Sequence, residues 1–401
     1  MHALRELRNN GLSQWELVGV CDIDRKSAES VSALGQEFFG HAPAVYVELE
    51  ELVQKERPDA VSIVTTAPTH LAVASKALSL GVDVLVEKPI VLDMVSARLL
   101  EEAVKGSGQI LSVAENFRRD PLNRLIKALL DAKVIGEPLC MVHNSFSGNR
   151  QVVITPWRHL RKNGGLMIDI GVHHTDVFQY FLGMPRSVSA WTNVIEKTRR
   201  WNQGDGPLGA FYEVSNRGFD GEFFADAEDA ALAIFQHGNG VVTQYSHFVQ
   251  AGGGEGKFLR RIYGTDGMIE CPEDRSGNPV KLDLRAEGKL EGQQVLDLVP
   301  HFHLDSAIST MFGRNRMTSY QMEFNEGDRK ITASEYWELS NCLLSGLTPE
   351  VGLTEAVNAV AGVLAMLESG HIGRPVEVNE ILSGKANSYQ ALAGKELRKE
   401  E

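Results

Sequence analysis

At 401 residues the chain is long enough for two cores, since single cores rarely grow past about 250 to 300 residues. Hydrophobic residues at 43% and charged residues at 23% are the make-up of an ordinary globular protein. A formal charge of -13 argues against a nucleic-acid partner, and no run is long and apolar enough for a membrane helix.

The chain opens on Met1-His2-Ala3-Leu4-Arg5-Glu6-Leu7, which reads as the second half of a helix and lacks the pattern of a signal peptide. Trp15 to Asp22 reads as a strand ending in an acid, followed by a helix over about Lys26 to Phe39. Asp59 to Thr66 is a second apolar strand. Ala67-Pro68-Thr69-His70 follows as a loop, Leu71 to Leu80 as a helix closed by Gly81, and Val84-Leu85-Val86 as a third strand leading into Glu87-Lys88-Pro89. Strand, loop, helix, glycine, strand is a βαβ unit, so the expected fold class is α/β with a Rossmann-type doubly wound parallel sheet. In such sheets ligands sit outside the carboxyl ends of the strands, which aims Lys88 at the ligand crevice, and Pro89 fixes the exit direction of the chain. The plainer reading of Glu87 and Lys88 is a surface ion pair. Asp22 stands where an acid accepts hydrogen bonds from an adenosine ribose diol and repels a 2′-phosphate, favouring NAD over NADP; it can equally be a turn residue, with Asp24 as a helix cap. No GxGxxG phosphate cradle precedes this strand. Either the recorded start is internal to a longer gene product, which is the expectation, or the cradle has been lost.

Asp120 to Val134 reads as a helix and Leu139 to Ser147 as a strand. Gly164 to Gly183 is a helix on which Asp169, His173, Asp176 and Tyr180 form one polar stripe, at steps of four, three and four. A carboxylate one turn from an imidazole suits a histidine that exchanges a proton with a hydroxyl, while a buried ion-paired stripe is the structural alternative, expected at the Asp176 and Tyr180 end. β-rich runs follow at Ser187 to Ile195, Ala230 to Phe235, Val241 to Val249, Lys257 to Tyr263, Met268 to Cys271 and Val280 to Leu284, several joined by Gly-bearing turns. They predict an α+β domain with a large, mostly antiparallel open sheet and helices on one face. The expected division is a nucleotide-binding domain over 1–120, a substrate and oligomerisation domain over 121–382, and a tail over 383–401. The loop from Arg199 to Asp229 carries Trp201, Phe211, Tyr212, Phe219, Phe223 and Phe224, which read as a sugar-facing wall or as subunit packing. Cys21, Cys140, Cys271 and Cys342 are scattered with no CxxC, so neither a disulfide framework nor a zinc ribbon is indicated and a cytoplasmic location is the default. His301-Phe302-His303 and His173-His174 match no metal-ligand spacing, so no metal is assigned.

Thr65-Thr66-Ala67-Pro68 with His70, Glu87-Lys88-Pro89, Glu115-Asn116-Phe117-Arg118 with Pro121, Trp157-Arg158 before Gly164-Gly165, Asp169 with His173, and Gly373-Arg374-Pro375-Val376 recur in this order over most of the chain. Together they resemble the Gfo/Idh/MocA family of NAD(P)-dependent sugar and cyclitol oxidoreductases. The resemblance implies a catalytic set of Lys88, Asp169 and His173, with Thr65, Thr66, Pro68, His70, Glu87 and Asn116 along the cofactor. Arg118 is implied near nicotinamide or substrate. Trp157 and Arg158 are candidates for sugar stacking and hydroxyl or carboxylate recognition, with packing and a surface ion pair as their alternatives. The open sheet face is expected to make a homodimer or homotetramer.

The implied reaction is hydride transfer between a secondary alcohol of a sugar, inositol or related cyclic polyol and NAD. In it His173 is the base, Lys88 stabilises developing charge on oxygen, and Asp169 orients His173 or grips a neighbouring hydroxyl. Two alternatives stand beside it. One uses bound NAD for transient oxidation during glycoside cleavage or epimerisation. The other is a nonenzymatic paralogue without a phosphate loop, against which the complete Lys88, Asp169 and His173 set argues.

Overall fold

The structure is a computed structural model and describes residues 1–148, 150, 152–200, 221–251 and 257–397. Its first part alternates helices and short apolar strands: α1 (His2–Asn9), β1 (Gly19–Cys21), α2 (Arg25–Phe39), β2 (Ala44–Tyr46), α3 (Leu49–Glu56), β3 (Ala60–Ile63), α4 (His70–Ser79), β4 (Asp83–Glu87), α5 (Met94–Ser107) and β5 (Leu111–Ala114). Strands β3, β4 and β5 pair in parallel, as do β1 and β2, and among the described residues no ladder joins the two sets. Parallel strands covered by crossover helices are buried on both faces. That is why Val84, Leu85 and Val86 sit at 2% exposure or less. Asp24 accepts the amide of Lys26 and caps α2, and Asp93 accepts that of Ser96 at the start of α5.

The strand expected over Trp15 to Asp22 is confined to Gly19–Cys21. Trp15 is used differently, its indole donating to the carbonyl of Tyr336 at 2.9 Å. An indole N–H that leaves water needs such a partner.

The second part begins with α6 (Pro121–Asp131), whose Asp120 cap and first-position proline are both helix-start chemistry. Then come β6 (Pro138–Phe146), α7 (Gly165–Leu182), β7 (Pro185–Asn193), β8 (Thr198–Arg200), β9 (Glu222–Phe224), β10 (Ala230–His237), β11 (Val242–Phe248), β12 (Lys257–Gly264), β13 (Gly267–Cys271), β14 (Lys281–Leu284) and β15 (Gly288–Leu290). The chain finishes with α8 (Gln293–Asp297), α9 (Ser306–Phe312), α10 (Phe324–Ser345), α11 (Leu353–Ile372), β16 (Val376–Glu377), α12 (Val378–Leu382) and α13 (Ser388–Leu397). Among the described residues nine strands form one sheet in the order β15-β14-β13-β12-β6-β11-β10-β7-β16. Every pairing is antiparallel except β6 with β11.

Alternation along the strands splits this sheet into two faces. On β10, Ala231, Ala233 and Phe235 are buried beneath helices, while Leu232 and Ile234 point out at 45% and 40% exposure. Opposite Leu232 in the ladder is Trp191, at 46%. Helices α7 and α11 meet along a seam of small residues. A Cβ on Gly362 would lie 3.3 Å from Thr175, and Thr175 donates its hydroxyl to the Ala359 carbonyl at 2.8 Å. The hairpin of β8 and β9 lies at the base of the aromatic-rich loop; Trp201, Phe211, Tyr212 and Phe219 fall outside the described residues.

Candidate active site

Because β3, β4 and β5 run in parallel, their carboxyl ends form one rim. It carries Thr65, Thr66 and Pro68 after β3, Glu87 and Lys88 at the end of β4, and Glu115 and Asn116 after β5. Lys88 crosses from this rim to α7. Its Nζ donates to the Asp169 carbonyl at 2.9 Å and to Asp169 Oδ1 at 3.0 Å. The other carboxylate oxygen pairs with Arg158 Nε at 3.2 Å. Burial pushes the Asp169 carboxyl up, but Lys88 and Arg158 outweigh it and hold the group below its ordinary value.

The approach is set by the two glycines that start α7. Gly164 and Gly165 have φ of +97° and +70°, left-handed conformations that cost L side chains strain. A Cβ on Gly165 would also stand 2.5 Å from the Ala227 Cβ.

One turn after Asp169, His173 presents Nδ1 to Glu115 Oε1 at 2.7 Å, and its ring stacks on Phe117 with centroids 4.1 Å apart and planes 7° off parallel. Burial, then the positive charges of Lys88 and Arg275, drive the imidazole well below its usual pKa, which favours the neutral ring. Burial pushes the carboxyls of Glu115 and Glu87 up to about 7 each. The sequence expectation that Asp169 orients His173 is corrected here: Asp169 is taken up by Lys88 and Arg158, and the carboxylate on the imidazole is Glu115. In the sequence Glu115 stands out only as part of the Glu115-Asn116-Phe117-Arg118 motif, although its place just past β5 puts it at a strand's carboxyl end, where ligand crevices lie.

Arg118, expected near nicotinamide or substrate, has its guanidinium on Asp176, with Nε 2.7 Å from Oδ2 and Nη2 bonded to Oδ1, and lies 5.1 Å from the Tyr180 ring centroid. His70, expected along the cofactor, is 1% exposed with its ring nitrogens 2.8 and 3.1 Å from the carbonyls of Pro89 and Thr65, so it stitches two rim loops together. Thr65, Thr66 and Pro68 are exposed. Asn116 touches Asp328 at 3.4 Å through Nδ2, while its Oδ1 is buried without a protein partner, an acceptor suited to an amide donor. Asp22 is exposed just past β1 and accepts the Asp24 amide at 2.8 Å. Trp157 is half-buried, with the Arg158 guanidinium 4.5 Å from its ring centroid. The adjacent His174 faces the other way and bonds Tyr245 at 2.9 Å.

Comparison with known proteins agrees with this architecture. Residues 2–115 match the NAD-binding Rossmann fold of the Gfo/Idh/MocA oxidoreductase family, and residues 127–378 match the family's C-terminal alpha/beta domain. The chain is 25% identical over 367 residues to scyllo-inositol 2-dehydrogenase (NAD(+)) of Bacillus subtilis, covering 91% of this chain and 89% of that protein. It is 28% identical over 197 residues to D-apiose dehydrogenase of Paraburkholderia graminis, 48% of each. In fold it is similar to an oxidoreductase from Agrobacterium radiobacter solved with NAD+, L-tartaric acid and magnesium (TM-score 0.72, 20% identity, 95% and 96% of the two chains). It is likewise similar to levoglucosan dehydrogenase solved with NADH and levoglucosan (TM-score 0.71, 16% identity, 94% and 95% covered). With an NAD-binding Rossmann domain followed by the matching α/β domain, the chain belongs to the Gfo/Idh/MocA oxidoreductase family.

Proposed function

We propose that the protein is an NAD-dependent dehydrogenase that oxidises a secondary hydroxyl of a sugar, inositol or related cyclic polyol. The observation that carries this reading is Lys88 reaching Asp169 across the two lobes, with His173 one helical turn further on and within electrostatic reach of both. His173 takes the hydroxyl proton. Lys88 donates to the reacting oxygen and stabilises its growing negative charge, which is preorganised electrostatics of the kind that commonly contributes most to rate. Asp169, already bridging two cations, accepts from a neighbouring hydroxyl. Bound NAD would supply the hydride acceptor. Asp22 suits its ribose diol, and the orphaned Asn116 Oδ1 and the high-pKa Glu87 suit the carboxamide end. The names of the relatives support a polyol or sugar.

The apolar strip of Trp191, Leu232 and Ile234 on the open sheet face supports self-association. All four cysteines are free thiols, which fits a reducing cytoplasm.

The test is Lys88→Ala. Turnover on a polyol panel with NAD should fall by about 1,000-fold or more, while NADH binding, followed by tryptophan quenching, stays within about two-fold. Normal turnover in the variant would remove Lys88 from the chemistry.

A further inference from the structure

The carboxylate of Glu115 sits in an arrangement that does more than fill space. Glu115 is 3% exposed, and its Oε1 accepts the backbone amide of Phe117 at 3.1 Å while lying 2.7 Å from His173 Nδ1. Oε1 thus meets two nitrogens at once, an arrangement that suits an unprotonated acceptor oxygen and favours the hydrogen of the short contact on Nδ1. The Phe117 ring, parallel to the imidazole, blocks rotation out of that plane, and the Arg275 guanidinium covers Phe117 at 4.8 Å.

We propose that Glu115 is the positioning residue of the site: it accepts the Nδ1 proton of His173, leaves the lone pair on Nε2 for the substrate hydroxyl, and stabilises the imidazolium that forms. This rests on the reading of His173 as the base. As the substrate O–H bond breaks, its proton passes to Nε2. The electron pair of that O–H bond closes the carbonyl as the carbon gives up its hydrogen together with the C–H electron pair, a hydride that bound NAD would accept, and His173 later releases the proton to solvent. Without Glu115 the new imidazolium would face the positive charges of Lys88 and Arg275 with Asp169 already paired to two cations. Other charges around the dyad are Arg118 and Arg119 on its own turn, Asp176 on α7, Glu87 on β4 and Glu335 on α10. None of these is hydrogen-bonded to the ring. Fixing the tautomer is worth much: in serine proteases, the worked case of this geometry, its loss costs about 10⁴ in kcat.

The experiment is ¹⁵N NMR of the full chain labelled at histidine, with His173 assigned by the signal that His173→Asn removes. The expected wild-type spectrum shows His173 protonated at Nδ1 and bare at Nε2. Glu115→Leu should redistribute the proton toward Nε2 while the buried His143, His174 and His247 keep their signals, and Glu115→Asp should restore the Nδ1 form at least in part. On a polyol that the wild type oxidises, Glu115→Leu should lower kcat by about 100-fold with KM little changed. A wild-type His173 protonated at Nε2, or a tautomer indifferent to Glu115→Leu, overturns the proposal; should Glu115→Leu fail to fold, the wild-type spectrum alone decides. Full turnover in His173→Asn would instead sink the reading of His173 as the base, a result separable from the tautomer measurement.

Discussion

The buried pair of Arg118 and Asp176 makes a quantitative prediction. The side chains of Arg118 and Asp176 are 6% and 1% exposed, and Asp176 also accepts Gln179 Nε2 at 2.9 Å. In Asp176→Leu the guanidinium keeps Glu350 at 4.0 Å and the Tyr180 ring, neither of which replaces the two-pronged carboxylate. Removing one partner of a buried ion pair costs about 3 to 5 kcal/mol, because the survivor is an uncompensated charge. Arg118→Met should cost less, about 2 to 3 kcal/mol, since Asp176, already pushed upward by burial, can escape by taking a proton. The double variant replaces the pair with apolar groups of similar volume and should recover to within about 1 kcal/mol of the wild type, a strong positive coupling in a double-mutant cycle. Urea denaturation followed by circular dichroism measures all four proteins. If Arg118→Met keeps wild-type stability and raises KM about ten-fold, the guanidinium is serving substrate and the structural argument is wrong.

Two further tests address other regions. Glu87 ionises near 4.5 in an unfolded chain but near 7 when buried, so the unfolded state sheds its proton first and stability falls as pH rises through that window. Glu87→Gln lacks this slope, and its advantage over wild type should grow by up to about 3 kcal/mol between pH of about 4 and about 8; a difference independent of pH would show that Glu87 titrates normally. On the open sheet face, Trp191→Asp should shift sedimentation velocity from an oligomer to single chains, and a wild type that already sediments as a single chain refutes that interface.

Much of the site was legible because short motifs there carry their own geometry. Glu87-Lys88-Pro89 after an apolar run fixes a strand end, and the four-residue spacing from Asp169 to His173 fixes a shared helix face. What sequence could not give was side-chain pairing across long separations. Glu115 meets His173 58 positions away and Arg118 meets Asp176 at the same separation, so both were grouped by motif and not by contact. Trp15 looked like strand because aromatic residues favour strands, but a tertiary partner, the Tyr336 carbonyl, decided its place. The bounds of the long helices α10 and α11 are not marked in the sequence. Of these, α11 is buried along most of its length, so its apolar residues do not stand out as one stripe.

The bond from Lys88 to Asp169 joins the nucleotide-binding half of the molecule to the sheet-bearing half. In the proposed reaction both halves are needed, and neither carries the site alone. A chimera that borrows a foreign nucleotide-binding half to change coenzyme preference must import the lysine that meets α7. It must also import the Glu115 and Phe117 equivalents that seat the imidazole, all within one graft. A graft ending before residue 115 would keep the lysine and separate it from the two side chains that prepare its neighbour, so the crossover belongs after the Phe117 turn.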